Sequence, residues 1–304
     1  MKKNRLFLFL PILLLHAACT GNRYLPQNEK FYDGSEIKLV PQSDIPKSDL
    51  SQTAQDIREV FNLDPNMRIL GMRPKVWFYH IAGEVKKKKG IRYWMKYKLG
   101  EAPVYFSAFN IPGTGDLVEN RLQLNGFFNY DLTHEVDSAK HTAGVTYIAS
   151  VSEPYRLDSV FQFRQDSSLE VISELNSLYK ESVLRRGDRY SFNKLRQERS
   201  RMERELRNLG YYYFDDRSIL FQADTTIDFR KTNIYPGLKE ETLPESLEKY
   251  TLNQVIVNTD YTWGAEDSLM AGDTISVNRM KFVRNTPRFR PEAISSFIAL
   301  QPEM

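Results

Sequence analysis

Few residues of this 304-residue chain have the type and spacing for covalent chemistry. The single thiol, Cys19, follows Ala17 and Ala18. Ahead of them, Lys2, Lys3 and Arg5 give a positive start, and Leu6 to Leu15 is an apolar run interrupted only by Pro11. That run is too short to span a bilayer, which takes about 20 residues. The charged, apolar, small order is that of a cleaved signal, residues 1–18. A cysteine at the cleavage point is where bacterial lipoproteins carry a thioether-linked diacylglycerol and an acylated amino end. His16 stands where the usual lipoprotein box has leucine, with Leu15 one position earlier. The alternative is an ordinary signal cut after Ala18 with Cys19 a spare thiol. An unpaired thiol is a liability in an oxidising compartment, which favours lipidation.

The remaining reactive types form no known catalytic pattern. His134 and His141 flank "HEVDSAKH", but a helical zinc pair needs its second histidine four residues on, where Ser138 stands. No Gly-x-Ser-x-Gly, phosphate loop or acid-pair signature occurs. The sequence therefore predicts no enzyme, no metal and no cofactor. Val85 to Gly100, "VKKKKGIRYWMKYKLG", holds seven basic residues and no acid, interleaved with aromatics. Lys86, Lys87, Lys88, Lys89, Arg92, Trp94 and Lys96 make a candidate membrane-surface patch, since cations favour anionic headgroups and Trp favours the interface. A solvated loop, or a contact with an acidic face of the next module, is the competing explanation. Lys194 to Arg207 carries six basic and three acidic residues, with pairs such as Glu203 and Arg207 at helical spacing, and reads as a solvated face.

Overall charge adds little. Lys and Arg total 42 against 39 Asp and Glu, and loss of Lys2, Lys3 and Arg5 with the signal leaves a neutral mature chain. Nothing in that balance points to nucleic acid. With 27% charged and 12% aromatic residues the composition is globular. About 285 mature residues suggest two or three domains.

Two internal repeats organise the chain. "ENRLQLNGFFNYD" around Gly126 matches "ERELRNLGYYYFD" around Gly210, and "YRLDSVFQF" from Tyr155 matches "YTLNQVIVN" from Tyr250. Both imply successive copies of one module of α+β class in the order strand, helix, helix, strand, strand. In the middle copy, residues 155–247, Leu157, Ser159, Phe161 and Phe163 alternate as a strand does. Ser167 and Glu170 form a capping box, and Leu169, Ile172, Leu175 and Tyr179 follow at helical spacing. A turn at Arg186-Gly187-Asp188 leads to the cap Ser191 and a helix with Phe192, Leu195, Met202, Leu206 and Leu209 on one face, stopped by Gly210. Ile219 to Ala223 and Lys231 to Leu238 close it as strands.

The first copy, residues 31–154, opens with Ser35 to Val40 and a helix over Ser51 to Phe61. Asp116, with Glu119 three residues later, caps its second helix, and Thr133 to Val136 and Gly144 to Ser150 are its last strands. Leu63 to Pro112 is an insertion, and residues 19–30 are a lipidated linker. The third copy, residues 248–304, begins with the strand at Tyr250, carries a polar insertion over Thr262 to Thr274 and reaches a helix after Pro291. A second helix and two strands are then wanting, so the sequence reads as the N-terminal part of something longer.

Strand-helix-helix-strand-strand copies, with a glycine and aromatic pair after the second helix, resemble POTRA (polypeptide-transport-associated) domains of the BamA/TamA superfamily. The start "CTGNRYLPQNEKFYDG" from Cys19 resembles that of TamA-like lipoproteins, TamL, and "RILGMRPKVWFYHIAGEVKKKKG" from Arg68 resembles the insertion in that branch. The C-terminal barrel that defines the family is absent: there is no room for its many strands after Phe282. The resemblance implies an outer-membrane lipoprotein, palmitate or another acyl chain on Cys19, with its modules in the periplasm. It implies a role in outer-membrane protein assembly. The partners it implies are an outer-membrane β-barrel on the same or another chain, unfolded outer-membrane proteins, a TamB-like periplasmic protein and membrane lipid through Cys19. It also points to Ile219, Leu220, Phe221, Gln222 and Ala223 as a client-pairing edge strand, because unpaired main-chain groups accept an extended segment whatever its sequence. A capped edge is the competing case. A free-standing lipoprotein adaptor without its own barrel is the alternative function.

Overall fold

A computed structural model describes residues 21–164, 169–227, 229–259, 272–284 and 289–299. The signal, Cys19, Ser167 of the expected capping box and most of the expected insertion at 262–274 lie outside them. The chain divides into two compact units, one of residues up to 159 with 185–194 and 224–233, the other of 160–184, 195–223 and 234 onward. The fold is α+β, with three three-stranded sheets and no closed barrel among the described residues.

The first sheet is built from β1 (Phe31–Pro41), β2 (Tyr130–Ser138) and β3 (Thr142–Val151) in the order β1-β3-β2. In β3 the side chains of Ala143, Val145, Tyr147, Ala149 and Val151 are buried and the intervening ones only half so. That period-two burial is what a strand with one covered face requires. β1 lies parallel to β3, from Phe31 opposite Thr142 to Pro41 opposite Val151, and β2 runs antiparallel to it. A parallel neighbour needs a long crossover, and α1 (Lys47–Arg58) and α4 (Ile111–Leu124) supply it. Ile57 from α1 and Val118 and Leu122 from α4 pack on Tyr32, Phe127 and Tyr147. The first helix starts before the expected Ser51, because Pro46 ends the preceding extended segment and the turn can begin at Lys47. Asp116 is not a cap: Asn110 is, its Oδ1 accepting the Gly113 N–H at 3.1 Å. Pro112 then sits in the first turn, where its missing N–H costs nothing.

The insertion between those helices carries α2 (Pro74–Ile81) and α3 (Ile91–Trp94), the latter running on as one π-helical turn over Met95–Leu99. Buried Asn66 holds it together: its amide donates to Ala102 O and Glu101, at 2.8 and 2.9 Å, and its oxygen accepts from Val104 N at 2.7 Å. The strand segment beyond covers the start of β1, with Tyr32 N donating to Val104 O and Phe106 N to Lys30 O.

In the second sheet the order is β4-β6-β5, with β4 Arg156–Val160, β5 Ile219–Asp224 and β6 Lys231–Leu238. The core of the second unit joins Leu175 of α5 (Glu170–Leu178) and Met202 and Leu206 of α6 (Phe192–Asn208) to Tyr211, Phe214 and Ile219. Ser191 caps α6 as expected, accepting from Lys194 N. Its buried stripe is Leu195, Glu198, Met202 and Leu206, while Phe192 and Leu209 are exposed. Glu198 takes an apolar position because its carboxylate is satisfied, accepting from Val183 N at 3.0 Å and pairing with Arg201 at 2.7 Å.

The third sheet forms ahead of the helix expected after Pro291. β7 (Val255–Asn258) is parallel to β9 (Met280–Arg284), and β8 (Asp273–Val277) pairs antiparallel with β9. Asn278 and Arg279, with φ of 49° and 65°, make the two-residue turn of that hairpin. The expected strand from Tyr250 is confined to Val255–Asn258, and α7 (Pro291–Ser295) follows.

Tyr147 sits at the centre of the first core, its hydroxyl donating to Ile111 O at 2.7 Å, and burial raises its pKa to about 12. A phenol whose folded pKa lies above its unfolded value stabilises the fold below pH 10 and loses that contribution as pH rises toward 12. Tyr147→Phe is expected to lose about 1 kcal/mol at neutral pH with the hydrogen bond. It should also flatten the pH dependence of unfolding between pH 10 and 12 by up to about 1.4 kcal/mol per pH unit. Urea denaturation across that range measures both.

Candidate functional site

β5 is an outer strand of its sheet. Ile219 and Phe221 turn into the core, while Leu220, Gln222 and Ala223 are exposed. Beside it Tyr235 stacks on Phe161, rings 4.5 Å apart at 5°. Leu220, Gln222 and Tyr235 line a cleft of about 520 Å³ that reaches Phe163, Ile172 and Leu247. The other outer strands are worse acceptors. β2 is long and exposed but carries Asp131, Glu135 and Asp137, the charge placement that discourages edge pairing. β1 has its start covered by the insertion. β4 carries Arg156 and Asp158, and β7 and β8 are four and five residues long. Among the described residues the uncharged run Ile219–Ala223 is the longest on any outer strand.

Residues that sequence repeats made conspicuous prove to meet one another. α4 ends with Gly126 at φ 84°, Phe127 N donating to Leu122 O; α6 ends with Gly210 at φ 100°, Tyr211 N donating to Leu206 O. Both are helix stops that need a left-handed residue. The carbonyl of each glycine accepts the amide of the first tyrosine of the next repeat, Tyr155 N to Gly126 O and Tyr250 N to Gly210 O, both at 2.8 Å; Gly210 O also accepts from Tyr212 N at 2.9 Å. Phe128 meets Tyr155 edge to face at 5.0 Å and 84°, and Tyr213 meets Tyr250 at 5.0 Å and 87°. A cation completes each junction. Arg189 lies 5.9 Å over the Phe127 ring and Lys249 lies 5.4 Å over Tyr211.

Each cation is also held by the first helix of the preceding module. Arg189 is buried, donating to Thr53 at 2.6 Å, Gln52 at 3.0 Å and Asn125 O at 3.3 Å, with Asp49 at 3.8 Å. Arg156 reaches the same Asp49 at 3.2 Å. Lys249 pairs with Glu170 at 2.5 Å and Glu174 at 3.0 Å, hydrogen bonds that raise its pKa. The repeat search shows both halves of each junction but not their contact, which joins residues far apart in sequence.

In the insertion Lys86, Lys87, Lys88, Lys89 and Arg92 are exposed, as is Trp94. Lys96 differs from them in its internal contacts: its ammonium donates to Gly83 O at 3.0 Å and lies 4.7 Å over Tyr79, holding α2 against the turn that follows α3. The N-terminal segment packs on the same insertion. Gly21 is buried, and a Cβ there would lie 3.4 Å from Arg73 O and 3.6 Å from Val76. Tyr24 stacks on His80 at 4.8 Å and 8°. Burial, helped by Lys96, pushes the His80 imidazole pKa down. Arg73 is fixed in turn, 4.6 Å over Phe31 and 3.4 Å from Asp33. His134 lies on β2 and His141 in the turn before β3. No group of three or more His, Cys, Asp or Glu side chains able to hold a metal occurs among the described residues.

No protein-family model matches the chain, and no curated protein is similar to it. Among solved structures it is similar to POTRA domains 3–5 of Haemophilus influenzae BamA, at 12% identity over 80% of this chain and 77% of that one, TM-score 0.35. It is similar to POTRA domains 1–2 of the periplasmic domain of Anabaena Omp85, at 10% identity over 68% and 94%, TM-score 0.31. A third is the N-terminal domain of Omp85 from Thermosynechococcus elongatus, at 12% identity over 88% and 77%, TM-score 0.26.

At Gly126 an added Cβ would stand 2.9 Å from Tyr190 O; at Gly210 it would stand 3.2 Å from Tyr250 O. Alanine in the left-handed region costs roughly 1–2 kcal/mol by itself. Gly126→Ala is therefore expected to destabilise by more than that and by more than Gly210→Ala, because both meet a backbone oxygen but only at Gly126 does the added Cβ come within 3.0 Å of it. Chemical denaturation of the two variants ranks them.

Proposed function

We propose that this chain is the periplasmic POTRA region of a lipid-anchored outer-membrane assembly protein of the BamA/TamA superfamily, and that it binds extended client polypeptides along β5. The observation that carries the reading is the uncharged outer strand Ile219–Ala223, flanked by the exposed Leu220 and the Phe161–Tyr235 stack. Further support comes from the repeated strand-helix-helix-strand-strand order around the first two sheets and from the lipoprotein-like start at Cys19.

The work is binding and release. A strand of six residues turns about half of its main-chain groups outward. At about 1 kcal/mol net for each hydrogen bond, about three such bonds correspond to a dissociation constant near the millimolar range. Apolar side chains of the client entering the cleft beside Leu220 and Tyr235 add to that. The result suits a receptor that takes many sequences and gives them up to an outer-membrane barrel, and to a TamB-like partner where one is present. Cys19 in this reading carries the acyl chains that keep the modules at the membrane.

The test is hydrogen exchange with an unfolded β-barrel segment. Amides of residues 219–224 should gain protection on addition of the peptide. Ala223→Pro, which removes an outward donor from the edge, should weaken binding about fivefold for the one hydrogen bond lost, while His134→Pro on the outward side of β2 should not. Protection confined to another strand, or equal binding by Ala223→Pro, overturns the assignment.

A further inference from the structure

The insertion of the first module presents a face that the edge-strand reading leaves without a role. Four consecutive lysines, Lys86–Lys89, and Arg92 are exposed in a stretch with no acidic residue. Next to them on α3, Ile91 is 78% exposed and Trp94 is 53% exposed, one helical turn apart. Large apolar side chains exposed together beside unopposed cations mark a candidate interaction surface.

A second apolar element projects from the same insertion. Ile69 and Met72 pair across a two-residue turn of Leu70 and Gly71, with φ of 48° and 78°. Such turns favour Asn and Gly, and leucine in the left-handed region is strained. Leu70 gains nothing locally in exchange, because it is 86% exposed. The third element is the start of the described chain. Gly21 is packed against Arg73 and Val76 at the N-terminal end of α2. One residue, Thr20, separates it from Cys19. Two residue steps span at most about 7 Å. Arg73 itself is three residues from Leu70, about 11 Å at full extension.

We infer that this insertion docks directly on an anionic phospholipid surface, Lys86–Lys89 and Arg92 meeting the headgroups and Leu70, Ile91 and Trp94 entering the interface. The surface is chosen by chemistry: unopposed cations beside an exposed indole and aliphatic side chains match a layer that is anionic outside and apolar beneath. An acidic protein would use the cations and leave Leu70 unexplained. Where Cys19 is acylated, as the proposed function has it, the short link to Gly21 keeps this insertion within reach of the bilayer. The docking itself needs no acyl chain, which makes it separable from that reading.

The experiment uses the processed chain with Cys19→Ser, so that no lipid carries it. Its partition is measured by flotation on vesicles of phosphatidylethanolamine with about 30% phosphatidylglycerol and on vesicles of zwitterionic lipid alone. One basic residue near an anionic surface is worth about fivefold in partition. The chain should therefore favour the anionic vesicles at least tenfold, and should lose most of that preference at about 0.5 M salt. Replacing Lys86–Lys89 together by glutamine should cost at least tenfold. Bromine-labelled acyl chains should quench emission in the parent but not the remaining emission of Trp94→Phe, while Leu70→Ser should weaken binding on anionic vesicles without removing its salt dependence. Equal partition on both vesicles, unchanged binding by the glutamine variant, or absence of Trp94 quenching overturns the proposal. So does retention by polyglutamate without vesicle binding, which would assign the face to an acidic protein. Circular dichroism and β5 peptide protection should match the parent in every variant, so that a failure here is distinguishable from misfolding and from failure of the edge-strand reading.

Discussion

One constraint recurs through the molecule: a helix ends on a left-handed glycine, and the next repeat supplies an amide to that glycine's carbonyl. At Gly126 the donor is Tyr155 and at Gly210 it is Tyr250. Because main-chain groups buried without partners are costly, the helix stop and the opening of the following repeat are chemically one unit. The edge-on tyrosine contacts and the cations over Phe127 and Tyr211 surround that bond with apolar and charged neighbours. The two junctions share geometry but differ in chemistry. The first uses a buried guanidinium with several planar donors; the second uses an ammonium between two carboxylates. Arg suits the drier site because it is weakly hydrated and always charged.

The outer strands show a division of labour written in charge. β2 and β4 carry acids and bases at positions that keep strangers off, and β1 is covered by the insertion. β5 lacks each of these protections between Ile219 and Ala223. An open edge is a liability in a free sheet, and an apolar cleft lies beside this one.

Much of this was legible in the residues. β5, β6 and α6 fall where alternation, the Ser191 cap and Gly210 put them, because each is a short-range pattern with a start and a stop. Other features were hidden for physical reasons. Gly113 and Gly115 inside α4 obscure its first turn, so the start is set by Asn110 and Pro112 instead. The β8–β9 hairpin turns on Asn278 and Arg279, and without a glycine that pair gives a weak turn signal. Glu198 in an apolar stripe is intelligible only once Arg201 and Val183 N are seen beside it. The junctions were half legible: like motifs announce repetition, while the contact between unlike motifs is a property of three dimensions. Of the candidate patch, the sequence could not say that Lys96 bonds Gly83 O and lies over Tyr79.

The direction of the junctions has a consequence for biogenesis. In both, the helix end lies upstream and the group that completes it lies downstream. A polypeptide emerges from the ribosome in the same direction. The first repeat can thus reach full hydrogen bonding only after Tyr155 and Arg189 have been synthesised, and the second only after Lys249 and Tyr250. Each nascent segment waits on its successor, and a chain interrupted between partners would lack the amide that joins one repeat to the next.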